Sequence, residues 1–313
     1  MIVKHGSYTG DGGATKGITG VGFLPDAVLI KRLDSAGDTI MRVTANTSNF
    51  SMKLRSDASA ITDGIITLDS DGFTVGVNND VNANFGSFAY VAIKDNGAGD
   101  FASGVYLGNN TDGKAITGLG FQPNYVVIKS DSNIVGAHKY AGNTNTSMFF
   151  GGDDRSDLIV SLDAGGFTVN NGGDSGANIV NVNAVNHYWI AFKEVTDKSE
   201  VFTYVGNRAD NRSITTPGFQ PAFVSVKATI SNEARLKYKI QTGDNSQNWD
   251  SPQSANGIQA FKATGFQVGT DSSVNNNTNT YYTFALADDF TTSAAAPAST
   301  TWRNSSMMPF VQL

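Results

Sequence analysis

The sequence predicts an all-β protein: three tandem, internally repeated β-sandwich domains, jelly-roll-like and about 98 residues each. Three observations lead there. The 313 residues include 34 Gly and, counted along the chain, 30 Asn, residue types that tolerate positive φ and close tight turns. Apolar residues make up 40% and charged residues only 16%, the balance of a chain that buries a core. A set of anchors recurs at one offset, so that Phe23, Phe121 and Phe219 stand 98 residues apart.

The elements follow in order. The first unit runs from Gly6-Ser7-Tyr8-Thr9-Gly10 through Ile18-Thr19-Gly20-Val21-Gly22-Phe23-Leu24-Pro25 to Val28-Leu29-Ile30-Lys31. The second repeats this as Gly104-Val105-Tyr106-Leu107-Gly108, Ile116-Thr117-Gly118-Leu119-Gly120-Phe121-Gln122-Pro123 and Val126-Val127-Ile128-Lys129. The third keeps Tyr204, Gly206, Ile214-Thr215, Gly218-Phe219-Gln220-Pro221 and Val224-Ser225-Val226-Lys227. In the Gly-Phe-x-Pro step, Phe closes the edge of a core, Pro fixes φ and stops pairing, and Gly allows the bend. Eight short strands are expected per unit, centred in the first near Tyr8, Ile18, Val28–Ile30, Ile40–Val43, Met52–Leu54, Ile65–Leu68, Phe73–Val77 and Phe88–Ile93. Turn signals between such closely spaced strands point to a sandwich or small barrel. The runs Ala27–Ile30 and Val91–Ile93 are nearly continuous in apolar residues and should lie central in their sheet.

Each unit ends on a second motif. Gly72-Phe73-Thr74-Val75 recurs as Gly166-Phe167-Thr168-Val169 and Gly265-Phe266-Gln267-Val268, and an apolar strand follows. The second unit carries extra residues in the Asn- and Gly-rich run between Asn170 and Asn183, a turn that accepts insertion. The boundaries are therefore 1–98, 99–197 and 198–289, with 290–313 a linker and C-terminal docking tail, and each unit is expected to hold its own core. In the tail Trp302, Met307, Met308, Phe310, Val311 and Leu313 are apolar, and Pro309 favours an extended chain before it. Such a segment can add to the sheet edge of a neighbouring chain.

Charge and composition exclude several functions. The net charge of −6 offers no basic excess for a phosphate backbone, which argues against nucleic acid. The absence of Cys excludes disulfides and thiolate chemistry. The opening residues have no apolar h-region, and no long apolar run spans a bilayer, so neither cleaved secretion nor membrane insertion is expected.

The candidate sites each have a structural reading. His5, His138 and His187 occupy non-equivalent positions without metal spacing and read as surface or strand-edge imidazoles. The loop Gly10-Asp11-Gly12-Gly13-Ala14-Thr15-Lys16 fails the phosphate-loop pattern and reads as a turn. Asp69-Ser70-Asp71-Gly72 and Asp153-Asp154-Arg155-Ser156-Asp157 complete no calcium loop and read as solvated turns. Lys31, Lys129 and Lys227 recur, as do Asp95, Glu194 and Asp288, and are expected to pair at neighbouring strand ends. Tyr8, Tyr106 and Tyr204 read as core or edge residues. Trp249, between Asn248 and Asp250, is the candidate for an exposed ring in contact with a glycan. No catalytic set, cofactor motif or metal site is predicted, so the expected class is non-enzymatic.

The pattern Gly-x-Tyr-x-Gly-Asn followed by Ile-Thr-x-x-Gly-Phe-Gln-Pro-x-x-Val-x-Ile-Lys, densest from Gly104 to Lys129, resembles a repeat of bacteriophage virion proteins, β-rich units of tail-associated and head-surface proteins. The first unit departs from it at Leu24 and the third at Thr216-Pro217. The resemblance implies a virion structural protein on the particle exterior, assembled in the host cytoplasm, and transfers no site residue. A capsid decoration protein is the first expectation and a tail-associated receptor-binding or carbohydrate-binding adhesin the alternative. The implied partners are major capsid or tail proteins, further copies of the chain in a homo-oligomer or pseudo-trimeric arrangement, and a host surface glycan.

Overall fold

The computed structural model describes residues 1–56, 58–143, 147–150, 154–172, 180–228 and 233–289. The first unit contains β1 (Ile2–Thr9), β2 (Lys16–Thr19), β3 (Ala27–Arg32), β4 (Ile40–Val43), β5 (Met52–Lys53), β6 (Ile65–Asp69), β7 (Gly72–Val75), α1 (Asn79–Asn82) and β8 (Ser87–Lys94). These strands coincide with the eight expected positions. They form a large antiparallel sheet in the order β1-β8-β3-β4-β5 and a small one in the order β2-β7-β6. First pairs with last and second with seventh, as in a jelly roll, while β4 and β5 extend the large sheet and β6 the small one.

The second unit repeats this with β9 (Phe101–Leu107), β10 (Lys114–Thr117), β11 (Tyr125–Ser130), β12 (Ala137–Tyr140), β13 (Ser147–Phe149), β14 (Asp154–Arg155), β15 (Ile159–Asp163), β16 (Gly166–Val169) and β17 (Asn186–Phe192). Its sheets are β14-β13-β12-β11-β17-β9 and β10-β16-β15. The third has β18 (Ser199–Val205), β19 (Arg212–Ile214), β20 (Phe223–Ala228), β21 (Arg235–Tyr238), β22 (Ile258–Lys262), β23 (Gly265–Val268), α2 (Ser272–Asn275) and β24 (Thr280–Leu286), in sheets β18-β24-β20-β21 and β19-β23-β22.

Within each unit the large and small sheets enclose a core. In the first it holds Ile18, Phe23, Val28, Ile30, Phe73, Val75 and Phe88; the second and third hold their counterparts, among them Phe121 and Phe167, and Phe219 and Phe266. Phe23, Phe121 and Phe219 are buried alike, at 6%, 4% and 8% exposure. The preceding Gly22, Gly120 and Gly218 have φ of 91°, 77° and 70°, the left-handed bend the motif needs. The glycine of the opening Gly-x-Tyr has a packing reason. Gly6 lies opposite Tyr90 and Gly104 opposite Trp189, and a Cβ there would strike either ring. The third unit exchanges the pair, with Phe202 opposite Thr283, so one aromatic ring still reaches Phe266.

The expectation that each unit needs only its own core is incomplete. Large-sheet strands alternate between two apolar faces: Val28 and Ile30 face the small sheet, while Ala27 and Leu29 face the other way. A lone sandwich would leave that second face in water. Here the three large sheets turn it toward one another and bury a fourth core, with Leu29, Val91 and Ile93 from the first unit, Tyr125, Val127 and Ile190 from the second, and Phe223, Leu236 and Phe284 from the third. The runs expected to be central are therefore covered on both faces.

The chain also closes on itself. At the junction of units two and three, Val195 forms a β-bridge with Ser199. After unit three, the Asp289 N–H donates to the Val3 carbonyl at 3.0 Å, and the Val3 N–H donates to Asp289 Oδ2 at 2.7 Å. Val3 is the counterpart of Ser199 at twice the 98-residue offset, so the end of the third unit meets the start of the first as the second meets the third.

Candidate functional site

Most repeated polar residues hold the fold. Tyr8 and Tyr204 donate through their hydroxyls to the carbonyls of Val81 and Val274, each at 2.6 Å, and Tyr106 does the same to Val180. Each Tyr ring stacks on the cross-strand residue, Phe88, His187 or Tyr281, at 5.1–5.2 Å. Beside each lies a buried Asn that sequence reasoning missed. Asn82, Asn181 and Asn275 accept from the N–H groups of Asp11, Asn109 and Asn207, and their amide groups donate back to the same loops. This pins the loop that follows the Gly-x-Tyr strand, read as a turn in the first unit. The signal was present as Val-Asn-x-Asn at Val81, Val180 and Val274.

The three histidines are not at the surface. His5, His138 and His187 are 7%, 0% and 0% exposed, because they lie on large-sheet strands covered on both faces. Burial, with Lys239 nearby, lowers His5 to about 3, and burial also lowers His138 well below the usual imidazole range. His187 falls to about 4, first through burial and then through the charges of Lys129 and Lys114. Its Nε2 accepts from the Val182 N–H at 3.1 Å, so it forms part of the wall of a core.

The lysine–acid pairing is corrected. Lys31, Lys129 and Lys227 are buried, at 0%, 1% and 0% exposure. Lys31 Nζ donates to the Gly37 carbonyl at 2.5 Å; Lys129 Nζ donates to the carbonyls of Ala58 at 3.3 Å, Ser132 at 3.2 Å and Ile134; Lys227 Nζ donates to Ala228 at 2.9 Å. The reason is register. β3 runs antiparallel to β8, placing Lys31 opposite Ala89 and Ala27 opposite Ile93, so Lys31 and Asp95 lie at opposite ends of the pair. Asp288 meets Lys239 instead, at 3.5 Å.

Trp249 is also corrected. It is 1% exposed, packs edge-on against Phe150 at 4.4 Å and belongs to the shared core, so its ring offers no face to a glycan. Its polar neighbours in sequence misled because they sit in a loop of unit three that folds over unit one: Thr39 Oγ1 donates to the Trp249 carbonyl at 2.9 Å and the Gly37 N–H to Asp250 at 2.9 Å. At the same junction Arg55 bridges Glu233 at 2.8 Å and Asp250 at 3.6 Å.

The acidic turns are spent on local bonds. Asp71 accepts from the N–H groups of Gly20 at 3.0 Å and Gly22 at 2.7 Å, and Asp69 from Thr74 at 2.8 Å. Asp157 pairs with Arg155 at 2.6 Å, whereas Asp153 and the side chain of Asp154 lie outside the described residues. So do the tail residues Trp302, Met307, Met308, Phe310, Val311 and Leu313. Among the described residues no three His, Asp or Glu gather as a metal site, and no helix is long and apolar enough to cross a membrane.

What the structure adds is a cleft between one large-sheet strand, β12 or β21, and the edge strand of the small sheet, β15 or β22. Register makes Arg42, Lys139 and Lys237 equivalent, opposite Val28, Val126 and Val224. In the first unit the following loop folds over this position, and Arg42 donates to the carbonyls of Ser48 at 2.8 Å and Phe50 at 2.5 Å. In the second a cleft of about 500 Å³ contains Lys139, Gln122, Val160 and Leu162. In the third a cleft of about 660 Å³ contains Lys237, Asp210, Asp244, Gln259 and Phe261. Burial lowers Lys139 and Lys237 to about 8.

Residues 2–100 match the family model described as a domain of unknown function, DUF7483. That span is the first unit of the repeat. No curated protein and no solved structure matches the chain.

Proposed function

We propose that this chain is a non-enzymatic structural protein on the exterior of a bacteriophage particle, seated as a capsid decoration protein against the major capsid protein. The observation that carries the reading is the closed arrangement of three like units about one core, with Asp289 returning to Val3. Such an arrangement gives one chain three similar outer surfaces, suited to a threefold seat on a shell. It reaches this without disulfides, by burying both faces of each large sheet. The repeated positions accessible to comparison hold loops and cores, and the buried His187 is no proton donor to a substrate. The resemblance of the Gly104–Lys129 segment to virion repeats supplies the particle context.

The test is incorporation. Labelled protein, expressed during infection by a phage that carries the gene, should co-purify with intact particles and appear by immunogold on their heads. Labelling confined to the tail would move the protein to the adhesin reading, and absence from particles would end the proposal. The apolar tail is the proposed anchor: deleting Trp302 to Leu313 should leave a folded protein that no longer incorporates. Normal incorporation of the truncated chain would remove the tail from the mechanism.

A further inference from the structure

We infer that the cleft of the third unit is a binding site for a neutral saccharide. The charges in it cancel, two lysines, Lys237 and Lys239, against Asp210 and Asp244. They are also already engaged. Lys237 Nζ donates to the carbonyls of Gly243 at 3.1 Å and Asn245 at 2.5 Å, and Asp244 accepts from the Asn256 N–H at 3.1 Å. A charged ligand therefore gains little here. What the cleft offers is a set of fixed donors and acceptors, and a hydroxyl-rich ligand can satisfy both kinds at once.

Gln259 adds a specific demand. It is 8% exposed, and its Nε2 donates to Asp210 Oδ1 at 2.9 Å, with Asp244 Oδ2 at 3.5 Å. The two carboxylates fix the orientation of the amide, since reversing it would set oxygen against oxygen. Its carbonyl oxygen Oε1 is left buried without a donor. An unpaired buried acceptor costs free energy, and the hydroxyl of a ligand seated in the cleft is the kind of donor it lacks. Phe261, half-buried on the same strand, gives an apolar ring against which the C–H face of a sugar can pack.

The second unit is the internal control. By register Val160 stands where the third unit has Gln259, and Leu162 where it has Phe261. The homologous cleft thus lacks a counterpart of the unpaired Gln259 acceptor and of the Phe261 ring. Among the described residues, this combination of Gln259 and Phe261 belongs to the third unit.

The inference rests on the cleft alone, and incorporation into particles tests the virion reading separately. The experiment presents the full chain to a printed array of neutral and anionic glycans, then titrates maltotriose, cellotriose and N-acetylchitotriose by calorimetry. At least one neutral glycan should bind with Kd of about 1 mM or tighter. Gln259→Val and Phe261→Leu, which install the residues of the second unit, should each weaken it about tenfold or more. Both variants should melt near the wild-type temperature, and Val160→Ala should bind as wild type. Failure of every neutral glycan, unchanged binding in the two unit-three variants, or binding of anionic glycans alone would each overturn the site.

Discussion

The three peripheral cores and the shared central core are built by the same strands, yet they differ in what the repeat has kept. On the peripheral side equivalent positions carry equivalent residues: Ile18, Ile116 and Ile214; Phe73, Phe167 and Phe266; Val75, Val169 and Val268. On the central side the backbone repeats and the residues do not. Ala27 corresponds to Tyr125 and Phe223, Met41 to His138 and Leu236, and Val91 to Ile190 and Phe284. A peripheral core is filled by one unit, so three copies of one solution work three times. The central core is one volume filled from three sides, and three identical large residues facing one another would collide. Close packing therefore demands that the copies diverge there.

This comparison predicts where a single truncation reaches all three units. Tyr125 stacks on Phe284 of the third unit at 4.6 Å, lies 4.7 Å from Tyr140 and shares a hydrogen bond with His138 at 2.9 Å. Tyr125→Ala should cost about 3–5 kcal/mol, and calorimetry should show the three units unfolding in one transition before and after the change. Three separate transitions, with only the second displaced, would break the idea that the central core couples them.

The next effect lies on the peripheral side and depends on pH. Of the three residues in this stacking position, His187, Phe88 and Tyr281, His187 is the one that titrates on the acidic side of neutrality. Folded, it stays neutral down to about 4, against an ordinary value of 6.5. The unfolded chain therefore takes up a proton between those values that the folded chain refuses. Stability is unaffected above pH 6.5, declines as pH falls toward 4, and the whole contribution is lost below that. Tyr281 Oη accepts from the Asn276 N–H at 2.6 Å, as His187 Nε2 accepts from Val182, so His187→Tyr keeps the acceptor and removes the titration. Relative to wild type it should gain about 3 kcal/mol on going from pH 7.5 to pH 4. Urea midpoints at the two pH values measure this, and an equal offset at both would refute it.

The same contrast explains how much was legible in the sequence. The peripheral architecture could be read because repetition marks it: strand positions, the buried Phe23 series and the turn glycines all recur. The central core left only an indirect trace, the strands apolar on both faces, whose partner lies one or two units away along the chain. Lys31 was misassigned because identity recurs while register, which sets its end of the strand, is invisible without pairing. Trp249 was misread because its polar neighbours belong to a loop whose burial comes from another unit. The cleft of the third unit left no repeated signal, since its Gln259 and Phe261 are what distinguish that unit from the second.

A smaller effect sharpens the peripheral half of the comparison. The Tyr204 hydroxyl donates to the Val274 carbonyl at 2.6 Å in a buried setting. Tyr204→Phe keeps the ring on Tyr281 and strands that carbonyl, at a cost of about 1–2 kcal/mol. The equivalent changes at Tyr8 and Tyr106 should cost similar amounts in thermal unfolding. A spread wider than the cost itself would mean that the three positions are alike in geometry only.

The smallest effect concerns a position where backbone repeats and side chain is free. Phe85, Ala184 and Thr278 have φ of 58°, 59° and 66°, and their N–H groups donate to the carbonyls of Gly10, Gly108 and Gly206 at 3.0–3.1 Å. The turn demands a left-handed residue and is indifferent to what projects from it. Phe85 meets that demand poorly, since a Cβ-bearing residue pays to sit there, and at 83% exposure its ring recovers almost nothing by packing. Asn tolerates the left-handed region better than Phe and adds less freedom to the unfolded chain than Gly would. Phe85→Asn should therefore stabilise the protein by about 0.5–1 kcal/mol, read as a rise in melting temperature with the unfolding still a single transition. A fall in melting temperature would mean that the ring contributes packing its exposure denies.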